Sequence, residues 1–304
     1  MLSFLLLLAF MGSPSPAKSQ SPPLPQKLNI FILAGQSNMA GRGGVVNDTW
    51  DGVVPPQCQP NPSVFRLSAD LAWVLAREPL HADIDPSKVT GVGPGMAFAN
   101  AVLTRDGTLG TVGLVPCAIG GTSITQWNKG EYLYEQLVTR AKMAVQSRGA
   151  YAAMLWYQGE SDTVNRQDAE LYEGRLETFF TNLRSDLQAP SLPIFQVALA
   201  SGRGPYIDMV RQAQLGIDLP NVHHVDAKGL PLEPDGLHLS TPAQVTLGEK
   251  LAGAFLQSIA TSSLSPLSSN AANTDFSSFF CCLLIALCMD LAFRWVIRQT
   301  SDNQ

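Results

Sequence analysis

The chain has 304 residues, 45% hydrophobic and 15% charged, with 25 Gly and 21 Pro, a length that fits one large domain or two ordinary ones. Its net charge of −5, from 20 Lys and Arg against 25 Asp and Glu, provides no basic surface for a polyanion and excludes nucleic acid as the expected partner. Four His and five Cys, with no Cys-x-x-Cys, no His-Glu-x-x-His and no cluster at ligand spacing, predict neither a metal nor a cofactor.

Residues 1–17 combine an apolar run over 2–11 with Gly12, Ser13, Pro14, Ser15, Pro16 and Ala17. This is the layout of a secretory signal peptide, lacking only a basic residue before the apolar run, and the expected compartment is therefore extracellular. Asn47-Asp48-Thr49 is a sequon for N-glycosylation and agrees with that compartment. From 26 to 257 short apolar, β-branched runs alternate with longer helical patterns, which predicts a parallel sheet covered by helices on both faces. The runs at 28–33, 111–116, 152–157, 194–199 and 222–225 read as strands. Helices are read at 95–103, 131–146, 166–187, 206–216 and 242–258, the last two with Pro near their first turns. Five strands with intervening helices make one doubly wound domain over 26–260. The stretch 47–90, rich in Pro and Asp and without a clear period, reads as an irregular surface excursion.

Residues 261–304 form a Ser/Asn-rich linker followed by an apolar run at 279–289, shorter than the ~20 residues of a membrane span and followed by Asp290 and Arg294. Membrane tethering through this tail is one reading; a disordered tail is the other. Cys281, Cys282 and Cys288 belong to it, which leaves Cys58 and Cys117 as the cysteines of the body.

In an open sheet of this kind ligands bind outside the carboxyl ends of the strands, and there this chain is polar and glycine-rich. Gly35-Gln36-Ser37-Asn38 follows the first strand, Gly120-Gly121-Thr122-Ser123 the second, and Gln158-Gly159-Glu160-Ser161-Asp162 the third; Asp235-Gly236-Leu237-His238 precedes the last helix. Ser37 directly after a strand suits a nucleophile, which needs a general base within hydrogen-bond reach and a third group to fix the tautomer of that base. His238 and Asp235, three residues apart across Gly236, can supply both. Oxyanion donors are expected from the amides near Ser37 and Gly121, with the Gln158 side chain as a third. Each segment alone also reads as a cap, a turn or a solvated loop; their joint occurrence at four strand ends favours catalysis. His223 and His224, within the last strand, and His81, in the irregular stretch, are weaker rivals for the base.

These four blocks, with Trp156 and Tyr157 before the third, resemble those of the SGNH hydrolases in the sialate O-acetylesterase-like branch. The stretch from Gly91 to Ala99 is similar to that of plant members called probable carbohydrate esterases. The resemblance spans 28–257 and implies a three-layer α/β/α flavodoxin-like fold, Ser37 as nucleophile, His238 as base and Asp235 as its partner. It also implies Gly121 and Gln158 as oxyanion donors beside the Ser37 amide. In the wider superfamily the third block carries Asn after Gly, where this chain has Gln158 before Gly159, the form expected in this branch. Glu160 has no place in the triad and is expected to hold its loop by a hydrogen bond or an ion pair. The resulting expectation is a secreted serine esterase that removes O-acetyl groups from carbohydrate through an acyl-enzyme. An esterase on non-carbohydrate acyl esters and a non-catalytic carbohydrate-binding protein on the same fold are the alternatives.

Overall fold

The computed structural model describes residues 27–264. In chain order its strands are β1 Leu28–Gly35, β2 Val45–Val46, β3 Thr49–Trp50, β4 Val64–Leu67, β5 Trp73–Leu75, β6 Thr111–Pro116, β7 Gly149–Tyr157, β8 Ile194–Ala198 and β9 Val222–Asp226. The helices are α1 Ser37–Ala40, α2 Pro94–Arg105, α3 Tyr132–Arg148, α4 Arg166–Asp186, α5 Ile207–Gly216 and α6 Thr241–Leu264. The apolar runs in the middle of the sheet become strands because their residues can be buried on both faces at once: Ile30, Phe31, Ile32 and Leu33 of β1 are all inaccessible to solvent, whereas β9, at the edge, buries Val225 alone.

The sheet has seven strands in the order β5-β4-β6-β1-β7-β8-β9, not the five expected. The two additional strands arise within the stretch that read as an irregular excursion. β4 pairs in parallel with β6, Val64 opposite Val112, and β5 returns antiparallel beside β4 as the edge, Phe65 opposite Leu75. Runs of four and three residues are too short to show a period of two, and their pairing comes from tertiary burial rather than local pattern.

Register fixes what each face holds. Ala34 opposite Trp156 places Trp156 on the even-numbered face of β1, where it meets Trp127 with ring centroids 5.2 Å apart and Phe179 at 4.6 Å. On the other face Phe31 packs edge-on against Phe98 of α2 at 4.9 Å and Phe255 of α6 at 5.0 Å. Gly248 of α6 lets that helix approach α2 so closely that a Cβ there would lie 2.5 Å from the Pro94 carbonyl oxygen. Trp127, Trp156 and Tyr157 are all fully buried, so none of them presents a ring to a substrate.

The expected leader at 1–17 lies outside the described residues, as does most of the expected tail at 261–304. Residues 261–264 continue α6 instead of opening a linker. Among the described residues no helix is long and apolar enough to cross a membrane. Cys58 and Cys117 are buried free thiols.

Candidate active site

The carboxyl ends of β1 and β6, the loop after β8 and the segment before α6 border a cleft of about 450 Å³ that contains Gln36, Ser37, Arg42, Gly120, Gly121, Arg203, Asp235 and His238 in its lining. The first of these ends is shaped by Gly35. Its φ of +127° is open to glycine, and a Cβ would sit 2.1 Å from the carbonyl oxygen of Tyr157. The chain therefore leaves the sheet pressed against β7, with Gln36 N donating to Tyr157 O at 2.8 Å, and turns at once into α1 with Ser37 as its first residue.

Ser37 Oγ lies 2.9 Å from His238 Nε2, and His238 Nδ1 lies 2.6 Å from Asp235 Oδ2. Asp235 Oδ1 meanwhile accepts from the amides of Leu237 and His238 at 2.9 and 3.0 Å, so one carboxylate caps the turn and orients the ring. Partial burial raises the Asp235 carboxyl, but these two amides and the imidazole outweigh it and hold it below the usual carboxylate value. With Nδ1 facing an anion, the ring proton resides there and Nε2 is left to accept from Ser37. The turn is closed from beneath: Glu233 N donates to His238 O at 2.7 Å, and Ser240 N donates to Pro231 O at 3.0 Å.

Asn38, fully buried next to Ser37, ties this turn to the sheet. Its Nδ2 donates to Glu160 Oε1 at 2.7 Å and to Leu237 O at 3.4 Å, while its Oδ1 accepts from Leu239 N at 2.9 Å. The residues before and after His238 are thus held by one amide. Glu160 accepts a hydrogen bond rather than forming an ion pair; burial, against the help of Asn38, raises its carboxyl to about 7.

Of the expected oxyanion donors, the amides of Ser37 and Gly121 have no acceptor among the described residues, and Gly121, at φ +77°, stands at the open edge of the cleft. Gln158 does not take the third place. Its side chain is fully buried and absent from the cleft lining, and its two amide protons are shared among Asp162 Oδ2 at 2.6 Å, Thr122 O at 2.9 Å and Gln36 Oε1 at 3.2 Å. Gly159 follows at a φ of +136°. The amide is left pointing down toward Asp162, away from the cleft. Asp162 is also gripped by the Ile124 amide, 3.1 Å from each oxygen.

A family profile, described as carbohydrate esterase, sialic acid-specific acetylesterase, matches residues 27–257. The chain belongs to this carbohydrate esterase family. A probable carbohydrate esterase of Arabidopsis thaliana is 58% identical over 244 residues, covering 78% of this chain and 93% of the relative. The X-ray structure of an Arabidopsis thaliana protein is similar at a TM-score of 0.74 and 57% identity, covering 77% of this chain and 99% of that one. NanS, at 18% identity, has a TM-score of 0.62 and matches 78% of this chain and 99% of its own. A carbohydrate acetylesterase from Xanthomonas citri, at 19% identity, has a TM-score of 0.55 over 74% of this chain and 55% of its own. The last two share the fold. As a family member the protein is a carboxylic ester hydrolase of the carbohydrate acetylesterase class.

In this carbohydrate esterase several site residues carried no sequence signal. Asp85, 1% exposed, accepts from Arg42 Nη2 at 2.6 Å and from Gly120 N at 3.1 Å, so it directs the Gly120 amide away from the cleft and leaves that of Gly121 free. Arg42 and Asp85 are 43 residues apart, one of them inside the stretch without period. The rival histidines are elsewhere: burial lowers His81 to about 3 and keeps it neutral in the core, while His223 stacks on Phe195 at 4.8 Å. Asn47, the sequon residue, occupies the exposed turn between β2 and β3 at the rim of the cleft.

Proposed function

We propose that the protein is a serine esterase that removes O-acetyl groups from carbohydrate, with Ser37 as nucleophile, His238 as general base and acid, and Asp235 as orienting carboxylate. The observation that carries this reading is the continuous chain from Ser37 Oγ to His238 Nε2 at 2.9 Å and from His238 Nδ1 to Asp235 Oδ2 at 2.6 Å, set at the floor of an open cleft. Ser37 Oγ bonds to the acetyl carbon as its proton passes to His238 Nε2, and the ester bond to the sugar breaks as that proton moves to the departing sugar oxygen. Water then enters along the same path: His238 takes one of its protons, the oxygen bonds to the acyl carbon, and acetate leaves as the proton returns to Ser37. The amides of Ser37 and Gly121 face the position where the carbonyl oxygen gains charge.

Acetate release from a panel of O-acetylated glycans by wild type and by Ser37→Ala tests this. The expected outcome is turnover by wild type and nearly complete loss in a variant that melts as wild type does, because the Ser37 hydroxyl contributes little packing. Wild-type turnover by folded Ser37→Ala would overturn the assignment. A wild type that hydrolyses only aryl or lipid esters would overturn the substrate class and leave the mechanism standing.

A further inference from the structure

The aromatic rings beside the catalytic segments are buried, yet one ring stands open at the same edge of the sheet. β6 runs to the carboxyl edge and α3 starts back from it, so Tyr132, the first residue of α3, sits at the edge where Ser37 lies. Tyr132 is 73% exposed. It borders a hollow of about 460 Å³ that Asp85, Ser87, Ile119 and Gln136 also line. Gln136, one turn further along α3, shares a helix face with Tyr132. The hollow backs onto the catalytic cleft: Asp85 Oδ2 accepts from Arg42 Nη2 at 2.6 Å and from Gly120 N at 3.1 Å, and both of those residues line the cleft. Ser87 and Ile119 face the hollow, while the residues that follow them, Lys88 and Gly120, face the cleft. A ridge of two chain segments thus separates Tyr132 from Ser37.

The chemistry of the hollow suits a neutral ring rich in hydroxyls. Its charged groups are already committed, Asp83 to Arg66 at 2.7 Å and Arg140 to the carbonyl oxygens of Pro116, Leu67 and Ser68. Ser87 and Gln136 are exposed, and their side chains bond to no other among the described residues; together they offer both donors and acceptors. A sugar ring carries C–H groups on its faces and hydroxyls around its rim. The C–H groups meet the electron-rich face of an aromatic ring, and the rim needs polar partners at its side.

We infer that this hollow is a second sugar subsite, which takes the uncharged unit next to the acetylated one, with Tyr132 as its platform. This role rests on the proposal that Ser37 deacetylates carbohydrate, and it narrows the substrate to a chain of sugars rather than a lone monosaccharide. No bond is made or broken at Tyr132. Its contact is the same before and during the attack by Ser37, so it acts on KM rather than on kcat.

The test uses the acetylated monosaccharide and trisaccharide of whichever glycan wild type deacetylates fastest in the panel above. Wild type should favour the trisaccharide by about tenfold in kcat/KM, the gain expected of one aromatic contact, and Tyr132→Ala should lose that preference through a raised KM. Tyr132→Phe, which keeps the ring, should retain it. Equal kcat/KM for the two substrates in wild type, or a preference unchanged in Tyr132→Ala, overturns the subsite and leaves the deacetylation reading standing; a Phe variant that behaves as Ala overturns the platform role. A crystal structure of Ser37→Ala soaked with the acetylated trisaccharide should show a sugar ring over Tyr132, and a chain that runs from Ser37 in another direction refutes the assignment. Wild type that cleaves aryl acetates but no acetylated glycan refutes the carbohydrate reading itself, and the subsite with it.

Discussion

Replacing Asn38 by Ala should damage stability and turnover together while sparing substrate binding. The side chain is fully buried and makes three contacts: Glu160 Oε1 at 2.7 Å, Leu237 O at 3.4 Å and Leu239 N at 2.9 Å. Leu237 O retains the Ser201 hydroxyl at 2.5 Å, so its loss is small. Leu239 N and Glu160 Oε1 lose these partners in the interior, at about 1–3 kcal/mol each. The sum, about 2–6 kcal/mol, is a large part of the 5–15 kcal/mol typical of a folded domain. His238 keeps Asp235, which sits on its own turn, but the turn loses its tie to Ser37. A displacement of about 1 Å at the base is enough to cost on the order of 10² in kcat. Because Asn38 does not line the cleft, KM should stay near wild type. Urea unfolding followed by one slope for both proteins, and kinetics on a soluble acetyl ester at a temperature where the variant is folded, measure the two effects. A variant within 1 kcal/mol of wild type and with unchanged kcat would show that Asn38 holds nothing. Asn38→Asp adds a sharper check, since it places a second carboxyl against that of Glu160. The pair should share one proton, and stability should be lost as pH rises and that proton leaves.

Asp235→Asn should lower kcat by up to about 10⁴, because the amide favours the wrong ring tautomer and removes the charge that stabilises imidazolium; an Asp235→Asn enzyme as fast as wild type removes Asp235 from the mechanism. Glu160 keeps a proton up to about pH 7 in the folded protein, against an ordinary value of 4.5. The native state therefore binds the extra proton across that window, and stability falls as pH rises from 4.5 through 7. In Glu160→Gln the pH dependence of the melting temperature should flatten, with the slope that remains coming from Asp162, raised to about 6 mainly by burial; an unchanged slope would place the Glu160 proton elsewhere. Asp85→Ala should cost about 3–5 kcal/mol by leaving Arg42 charged, buried and unpaired, and chemical denaturation of the Arg42→Met, Asp85→Ala double variant should show less than the sum of the single losses.

The strands that build the site were legible because burial on both faces turns them into unbroken apolar runs, as in Ile30–Phe31–Ile32–Leu33. Their polar ends then stood out against that background. Ser37, Asp235 and His238 could be read because each bears a distinctive functional group and the last two share a turn. What sequence could not resolve was side-chain direction where the backbone leaves the sheet. Gln36 and Gln158 both follow a strand, yet Gln36 lines the cleft and Gln158 does not, a difference that no residue pattern reveals. Asn38 carried no role of its own in the sequence, because nothing local distinguishes a polar loop or cap from a tie to a residue 201 positions away. β4 and β5 stayed hidden for a similar reason, the pairing of β4 being decided by β6 and that of β5 by β4 rather than by their own few residues.

The distance along the chain between Ser37 and His238, 201 residues, has a consequence for how the protein assembles. The aromatic cluster of Trp127, Trp156 and Phe179 needs only the middle of the chain, and during synthesis it is complete before residue 238 has been added. Contacts of long sequence separation carry the larger loop-closure cost and form late. Ester hydrolysis therefore reports the docking of the turn at residues 231–240 against the carboxyl end of β1, whereas the fluorescence of Trp127 and Trp156 reports an earlier event. In a refolding experiment the fluorescence should recover ahead of hydrolysis or together with it, and any treatment that loosens the turn at residues 231–240 should abolish the second signal while leaving the first.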